Sequence, residues 1–332
     1  MPQAFSCTTV SLKGVVGKSY DWGQKDANVL INKARVGKKS LVIKPGDVPA
    51  SWTSRYASVT FNQYGQEFPL GGMNEKGLVV EIMVLGNTTL PPSDTRETAN
   101  ELQWIQYQLD NFEKVQEAVV AEKSLRISKV YADVHYLMCD ARGECATFEY
   151  LEGNPEAKIH TGTTLPYAAL TNDTYQASLD YLKTFLGFGG STPIPLAATS
   201  SRDRFVVAAS ATQTADSNLT SLAFDTLSRV QVAGHTKFNI VYDQKNLVAS
   251  FRTSSFPTIK SIRLGEISAS CKRPVVFTPM QIAGEGDLTA SLQEYSLADN
   301  KALVENTVAE LGLPAALQKA AWSYPSTTSC LE

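Results

Sequence analysis

Strand-like and helix-like patterns follow one another along this chain in an order that few folds can accommodate. Residues Cys7 to Leu12 alternate in polarity, with Val10 and Leu12 on one face, which predicts a β-strand. Lys13-Gly14 is then predicted as a turn and Val15 to Trp22 as the returning strand. More strand-like runs follow, then two helical runs, more strands and a second pair of helices. This order predicts an α+β protein whose helices pack on antiparallel sheets.

Four further segments are predicted from local patterns. A β-like run predicts a strand from Ser40 to Lys44. Apolar residues at spacings of three and four predict a helix from about Arg96 to Phe112. Asp173 is suited to cap a helix from Tyr175 to Leu186, and a last helix is predicted around Asn300 to Leu311.

Charge and hydropathy exclude several classes of function. The 332 residues include 30 Lys and Arg against 33 Asp and Glu, a net charge of −3, with no basic block that would follow a phosphate backbone. We therefore expect no nucleic-acid partner. We also expect no membrane span, because no apolar run reaches about 18 residues and the best candidate, Leu78 to Leu85, carries Glu81. His135, His160 and His235 lie outside any zinc-binding pattern, so no metal site is expected.

The cysteines are compatible with two arrangements. Five cysteines leave at least one thiol unpaired in an oxidising compartment. Cys139 and Cys145 flank a turn-like stretch and would face each other across a hairpin, and Cys271 would then pair with Cys330. The alternative is that these four are small buried hydrophobic residues.

The segment before Cys7 has features of a cleavage site. Ala4-Phe5-Ser6 places small residues three and one positions before Cys7, as at signal-peptidase sites. The basic and apolar regions of a signal peptide are missing, so Met1-Pro2-Gln3 would be the remainder of a longer leader. The alternative is an ordinary ragged N-terminus. We expect a leader remnant at residues 1–6 and one domain over residues 7–332, because no composition break marks a linker.

Removal of Met1 to Ser6 would leave Cys7 with a free α-amine beside its own thiol. The unperturbed pKa values are about 8 for the amine and about 8.5 for the thiol. The amine is therefore able to take the thiol proton and later to protonate a leaving amine. In the predicted hairpin Cys7 pairs near Tyr20, which brings Asp21 close enough to hold the amine. Nucleophile and base would then belong to one residue.

At these residues the sequence resembles the choloylglycine hydrolases, N-terminal nucleophile hydrolases that include penicillin V acylases and conjugated bile acid hydrolases. The resemblance extends in order over nearly the whole chain. Its segments are Cys7-Thr8-Thr9, Gly17 to Trp22, Gly72 to Leu78, Leu170-Thr171-Asn172, Ser200 to Phe205 and Phe238 to Thr253. Each segment alone is weak, but their order behind an N-terminal-type cysteine is specific.

The resemblance implies a four-layer αββα sandwich, with two antiparallel sheets between helix layers, and a set of catalytic residues. Cys7 would be the nucleophile and Asp21 the acid that contacts its amine. Asn172 matches an asparagine whose amide N–H stabilises the oxyanion. Arg204 matches an arginine held near the thiolate, where a cation lowers the pKa of cysteine. Arg202 is the rival for that role if the register is shifted.

This chain departs from the family pattern near the thiol and in the acyl pocket. Lys18 stands where the family usually has arginine, which keeps the charge and loses the planar fork. The strand from Gly77 to Leu85 lacks both the asparagine of bile acid hydrolases and the aromatic residue of many penicillin V acylases. Met83 and Val84 lie at that position, and Trp22 either walls the pocket or packs in the core. Such a pocket is expected to prefer straight or branched acyl chains over phenoxyacetyl or steroid groups.

The resemblance therefore implies an enzyme that hydrolyses a linear N-acyl amide through a thioester on Cys7, like penicillin V acylases or N-acyl homoserine lactone acylases. It implies a small-molecule substrate, no cofactor, a periplasmic or secreted protein and a homotetramer. The alternatives are a bile salt hydrolase, an acyltransferase of related fold and a non-catalytic periplasmic binding protein.

Overall fold

A computed structural model describes residues 6–308 and 311–332. The strands of the first part of the chain are β1 (Thr8–Ser11), β2 (Val15–Asp21), β3 (Asn28–Asn32), β4 (Val36–Lys39), β5 (Val48–Pro49), β6 (Ser51–Thr53), β7 (Ser58–Asn62), β8 (Pro69–Asn74), β9 (Val79–Val84), β10 (Glu97–Ala99), β11 (Leu125–Ile127) and β12 (Val134–Cys139). The later strands are β13 (Cys145–Glu149), β14 (Lys158–Thr161), β15 (Ala169–Leu170), β16 (Thr236–Asp243), β17 (Val248–Thr253), β18 (Lys260–Arg263), β19 (Val276–Pro279), β20 (Gly286–Asp287), β21 (Gln293–Glu294) and β22 (Ser329–Cys330). The helices of the described part are α1 (Glu101–Asn111), α2 (Val115–Ala121), α3 (Tyr175–Leu182), α4 (Ser201–Thr212), α5 (Leu219–Arg229), α6 (Leu297–Val308) and α7 (Ala315–Ser323).

Two large sheets form the middle layers. The first sheet has the strand order β15-β1-β2-β16-β17-β18-β20, and the second has the order β14-β13-β12-β9-β8-β7-β3-β19-β21. Helices α4 and α5 cover the first sheet, and α1 covers β8 and β9 of the second. The predicted four-layer αββα sandwich is therefore confirmed. None of the helices in the described residues is long and apolar enough to cross a bilayer.

Apolar side chains fill most of the space between the two sheets. Phe61 of the second sheet meets the rings of Tyr242 and Phe251 of the first edge-on, at centroid distances of 5.9 and 6.0 Å. All three rings are fully buried. Burying a side chain of this size contributes about 1.5 to 3 kcal/mol, so the sheet-to-sheet contact is a main source of stability.

The predicted first hairpin is confirmed. The chain reverses at Lys13 and Gly14, whose φ angles are 47° and 101°. Two positive φ angles in a two-residue loop match the twist of a hairpin, and glycine adopts that conformation without strain. Thr8 pairs with Ser19, so Cys7 precedes the first paired residue of β1.

The predicted strand from Ser40 to Lys44 is wrong. Strand β4 ends at Lys39, one residue before the predicted strand begins. The Ser40 N–H donates to the Ala50 carbonyl at 2.8 Å and the Ser40 hydroxyl donates to the Thr98 carbonyl, so Ser40 does not continue the β4 ladder. The helix predicted from Arg96 also begins later than expected. The Asn100 side chain caps α1, and the residues before it pair as β10 with β5 and β11.

The helix predicted after Asp173 begins at Tyr175 as expected, but its N-cap and its C-terminal end differ from the prediction. Its N-cap is Thr174, whose hydroxyl accepts the Ala177 N–H at 3.3 Å, and α3 ends at Leu182. The helix ends at Leu182 because the N–H and the hydroxyl of Thr184 both donate to the Tyr181 carbonyl. The last predicted helix is α6, and the part of that prediction at residues 309–310 lies outside the described residues.

Both predicted cysteine pairs are disulfides. Cys139–Cys145 closes the β12–β13 hairpin, and Cys271–Cys330 joins β22 to the loop before β19. The alternative of four unpaired buried cysteines is therefore wrong. Within the part of the chain that the structure describes, Cys7 carries the free thiol.

Candidate active site

Cys7 lies immediately before β1 and is held by its backbone from two sides. Its N–H donates to Asn172 Oδ1 at 2.7 Å, and its carbonyl accepts Arg204 Nη1 at 2.5 Å. Only 2% of the residue is exposed. The thiol is thus placed by contacts that do not involve the sulfur itself.

Helix α4 supplies the arginine of the site. Arg204 is buried in the first turn of α4, where its guanidinium also donates to Thr8 Oγ1 at 2.8 Å and to Asn172 Oδ1 at 2.9 Å. Arg202 is exposed and forms an ion pair with Asp173 at 3.6 Å. The structure therefore brings Arg204, and not its rival Arg202, to the cysteine.

Asn172 follows the short strand β15 and joins both sheets at the site. Its backbone N–H donates to Ser201 Oγ at 2.9 Å, which ties it to the start of α4. Its side-chain Nδ2 donates to the Val84 carbonyl at 2.8 Å. One amide hydrogen is therefore used within the protein, and the second remains for the oxyanion that the sequence analysis expected this group to stabilise.

Asp21 ends β2 with one satisfied oxygen and one unsatisfied oxygen. Oδ1 accepts the hydroxyls of Ser19, at 3.1 Å, and of Thr236. Oδ2 is buried and has no hydrogen-bond partner among the described residues. Burial raises the pKa of Asp21 to about 6, against the Thr236 hydrogen bond and the charge of Arg204. A buried carboxylate oxygen of this kind calls for a cationic donor.

Lys18 is a buried cation on the face of β2 that looks toward the second sheet. Its ammonium donates to the Ile82 carbonyl, lies 3.2 Å from Met83 Sδ and lies 3.7 Å from Glu81 Oε2. Burial raises the pKa of the Cys7 thiol, and the positive charge of Lys18 is the main influence that opposes this rise. The positive charge of Lys18 on β2 thus acts on the thiol of Cys7 beside the neighbouring strand β1.

A mostly apolar cavity of about 880 Å³, its open mouth included, begins at Cys7. The three side chains expected to line an acyl pocket, Trp22, Met83 and Val84, all lie in its wall. The wall also includes residues that the sequence analysis did not single out, namely Tyr20, Leu41, Tyr64, Phe68, Leu70, Ile82, Leu102, Val130, Tyr131, Val134, Val308, Leu311, Leu313, Leu317 and Ala321. The last five belong to the C-terminal segment around α6 and α7.

Sequence reasoning missed a buried network behind Asn172. The His135 ring lies between Glu149 Oε1, at 3.1 Å, and the Thr171 carbonyl, at 2.7 Å. The Thr171 carbonyl can only accept, so Nε2 donates to it, and Nδ1 faces the Glu149 carboxyl. The only signal in the sequence was the motif at Thr171-Asn172. Thr236, whose hydroxyl donates to Asp21, had no signal in the sequence either, because the two residues lie 215 positions apart.

The described residues contain no cluster of three or more His, Cys, Asp or Glu that would hold a metal ion. Instead the site combines a buried thiol, an amide, a guanidinium and an ammonium around one end of a cavity. Such a set is suited to attack on a carbonyl carbon and to stabilisation of the resulting negative charge.

Comparison with known proteins assigns the chain to a family. Residues 4–220 match the family model described as linear amide C–N hydrolases, choloylglycine hydrolase family. The chain belongs to this family. The matched range contains Cys7, Lys18, Asp21, Asn172 and Arg204 and ends before β16 and the C-terminal helices.

A curated relative and two solved structures agree with this assignment. A penicillin V acylase from Pectobacterium atrosepticum is 27% identical over 210 residues, which is 58% of this chain and 54% of that protein. The match thus spans about half the length of that relative. A penicillin V acylase structure from Agrobacterium tumefaciens has a TM-score of 0.73 at 23% identity, covering 88% of this chain and 98% of that one.

The second structure is a mutant conjugated bile acid hydrolase from Clostridium perfringens. Its TM-score is 0.66 at 13% identity, covering 84% of this chain and 98% of that one. At these identities the two solved structures establish a shared fold, and the family model supplies the membership.

Proposed function

We propose that this protein hydrolyses linear N-acyl amides, with Cys7 as an N-terminal nucleophile. The observation that carries the proposal is the arrangement at Cys7: its backbone is held by Asn172 and Arg204, while Asp21 Oδ2 has no partner within residues 6–308 and 311–332. Membership of a family of linear amide C–N hydrolases supports the reaction class.

The proposed reaction has two halves. The α-amine of Cys7 takes the thiol proton, and the sulfur attacks the amide carbon. The oxyanion that forms is stabilised by the second amide hydrogen of Asn172. The ammonium then protonates the leaving amine as the C–N bond breaks, which leaves an acyl thioester. In the second half water attacks the thioester, the α-amine takes the water proton, and the acid leaves with Cys7 restored.

This mechanism requires that Met1 to Ser6 be removed. Cys7 carries an amide N–H while Ser6 is attached, and Ser6 is itself buried. Residues 1–5 lie outside the described residues. After removal, the new α-ammonium would have Asn172 Oδ1 as an acceptor and would be a cationic partner for Asp21 Oδ2, which has none in the part of the chain that the structure describes.

We propose an aliphatic acyl group as the preferred substrate. Met83 and Val84 present a thioether and an aliphatic side chain to the cavity, and the C-terminal segment adds leucines such as Leu313 and Leu317 to its wall. Flexible apolar walls accept a chain better than they recognise a rigid ring system. Fatty-acyl amides, including acyl homoserine lactones, are therefore proposed as better substrates than penicillin V or glycocholate.

We propose an oxidising location, the periplasm or the extracellular space. Cys139–Cys145 and Cys271–Cys330 support this, since disulfides are rare in reducing compartments. A homotetramer remains a proposal from family resemblance, and light scattering on the purified protein would test it.

A panel of acyl amides tests the function. The panel comprises hexanoyl to dodecanoyl amides, acyl homoserine lactones, penicillin V and glycocholate, assayed with the native protein and Cys7→Ala. We expect hydrolysis of the aliphatic amides by the native protein and none by Cys7→Ala. Equal rates for the two proteins, or no hydrolysis of any amide, would overturn the proposal. Added amine that diverts product into a new amide would identify an acyltransferase instead.

A further inference from the structure

Glu81 is a carboxylate buried between the two sheets, and it does not belong to the proposed chemistry. It projects from β9 of the second sheet toward the first and is 1% exposed. Tyr242 on β16 donates its hydroxyl to Glu81 Oε1 at 2.6 Å, and Lys18 Nζ lies 3.7 Å from Oε2. A charge in such a place needs specific partners.

The backbone opposite Glu81 leaves room for this carboxylate. Gly71 on β8 is its direct partner in the ladder. A Cβ on Gly71 would lie 2.3 Å from Glu81 Oε1, closer than any real contact. A side chain at position 71 and the observed carboxylate therefore exclude each other.

Among the described residues, three groups contact the Lys18 ammonium, namely Glu81, the Ile82 carbonyl and Met83 Sδ. Lys18 pairs directly with Thr9 across β1 and β2, which makes Cys7 its diagonal neighbour on the same face. Diagonal neighbours in an antiparallel pair are about 7 to 8 Å apart, near enough for one buried charge to act on the other.

We propose that Glu81 is a positioning residue that holds Lys18 beside Cys7 and offsets part of its charge, and so sets how strongly the lysine stabilises the thiolate. This inference deepens the proposed function, because it takes Cys7 as the nucleophile.

In the described part of the chain, few charged and titratable groups surround the pair of Glu81 and Lys18. Those that act on Cys7 are Lys18, Asp21 and Tyr20 on β2 and Arg204 on α4, with Tyr64 beside Tyr20. Those that interact with Glu81 are Lys18 and Tyr242, and Tyr20 on the same face of β2 as Lys18. Burial raises the pKa of Tyr242 well above its usual range, so its hydroxyl remains a donor.

The sign of the effect follows from the charges. Burial raises the pKa of Glu81 to about 7. Above that pH the Glu81 anion cancels part of the Lys18 charge at Cys7, and below it the lysine acts alone. Glu81→Gln keeps the shape and removes the anion, so it should lower the apparent pKa of Cys7. Lys18→Met should raise it.

The pH dependence of Cys7 alkylation by iodoacetamide, followed by intact mass, tests this without any substrate. We expect Glu81→Gln to lower the apparent pKa of alkylation by about one pH unit, the size of one nearby charge, and Lys18→Met to raise it. In the Lys18→Met background, Glu81→Gln should have little further effect, because without the lysine cation the buried Glu81 carboxyl stays protonated and carries no charge to remove. The kcat profile should shift with the thiol, and KM should not change.

Two further variants keep the test decisive. Tyr242→Phe removes one hydrogen bond from Glu81 and should shift the alkylation profile in the same direction as Glu81→Gln, but less. Glu67→Gln is the matched control, because it breaks the buried Lys38–Glu67 pair at 2.5 Å outside the site and should leave the profile unchanged.

An unchanged or raised apparent pKa in folded Glu81→Gln would overturn the inference. So would an equal shift with and without Lys18. If the shifts occur as expected but no amide is hydrolysed, the positioning role stands and the proposed function fails.

Discussion

The two ends of the cavity are built from different interactions. At the cysteine end, Cys7, Asn172 and Arg204 are joined by hydrogen bonds of 2.5 to 2.9 Å. The second end is the wall that the C-terminal segment contributes, which we call the far wall, and aliphatic side chains such as Leu313 and Leu317 form it. Hydrogen bonds fix atoms in direction and distance, whereas apolar contacts depend mainly on area and shape.

The two ends also come from different parts of the chain. The cysteine end lies within residues 4–220, which match the family model, and the far wall lies beyond that range. The reaction is therefore separable from the part of the acyl-chain preference that the C-terminal segment contributes. Substitutions at the first end should act mainly on kcat, and those at the second on the preference among substrates.

The largest effect is expected at the sulfur. Cys7→Ser should lose most of the activity, because an alkoxide is much harder to form than a thiolate. Initial rates on a decanoyl amide would measure the loss, with a thermal melt to show that the fold is kept. Near-native turnover by Cys7→Ser would remove the thiol from the mechanism.

The next effect is expected at the amide of the site. Asn172→Ala should lower kcat by about 10² to 10³, the usual loss for one oxyanion donor, with a small change in KM. Asp173→Ala is the matched control, because that side chain forms an ion pair with the exposed Arg202. If Asn172→Ala turns over as fast as the native protein, Asn172 has no part in the chemistry.

A moderate and selective effect is expected at the far wall. Leu317→Phe narrows the cavity and should lower kcat/KM for a dodecanoyl amide roughly tenfold relative to a hexanoyl amide, since one methylene is worth about 1 to 3 kcal/mol. Ala316→Phe adds the same ring on an exposed residue of α7 that does not line the cavity. Equal losses on both substrates would contradict the division between the two ends.

The smallest effect on the reaction is expected at the disulfide near the C-terminus. Cys271→Ser with Cys330→Ser should lower the free energy of unfolding by about 2 to 4 kcal/mol. The kcat for a hexanoyl amide should stay close to the native value, since neither cysteine lines the cavity. Urea denaturation measures the free energy of unfolding, and initial rates measure kcat. A large fall in kcat would show that the C-terminal segment affects the reaction itself, which would contradict the separation of the two ends.

The cysteine end was the more predictable from sequence. Period-two alternation and the Lys13-Gly14 turn fix the register of the first hairpin locally, and this register sets Cys7 beside Tyr20 and Asp21. Asn172 and Arg204 were found because short motifs occur in the expected order. The sequence could not separate Arg204 from Arg202, since both begin one helix and its buried face is decided by tertiary packing.

The remaining contacts around the cavity had no local signal in the sequence. Tyr242 meets Glu81 across 161 residues of sequence, and the partners lie on different sheets. The far wall was missed because Leu313 and Leu317 lie in or near a short helix in which no residue is buried. Such contacts arise only once both sheets and the C-terminal segment are in place.

Mass spectrometry of the active protein during turnover tests the central claim most directly. The active form is mixed with a slowly hydrolysed decanoyl amide, quenched in acid and digested. The account predicts a chain that begins at Cys7 and carries the decanoyl group on that residue. Full activity with Met1 still attached, or an acyl group on any other residue, would contradict it.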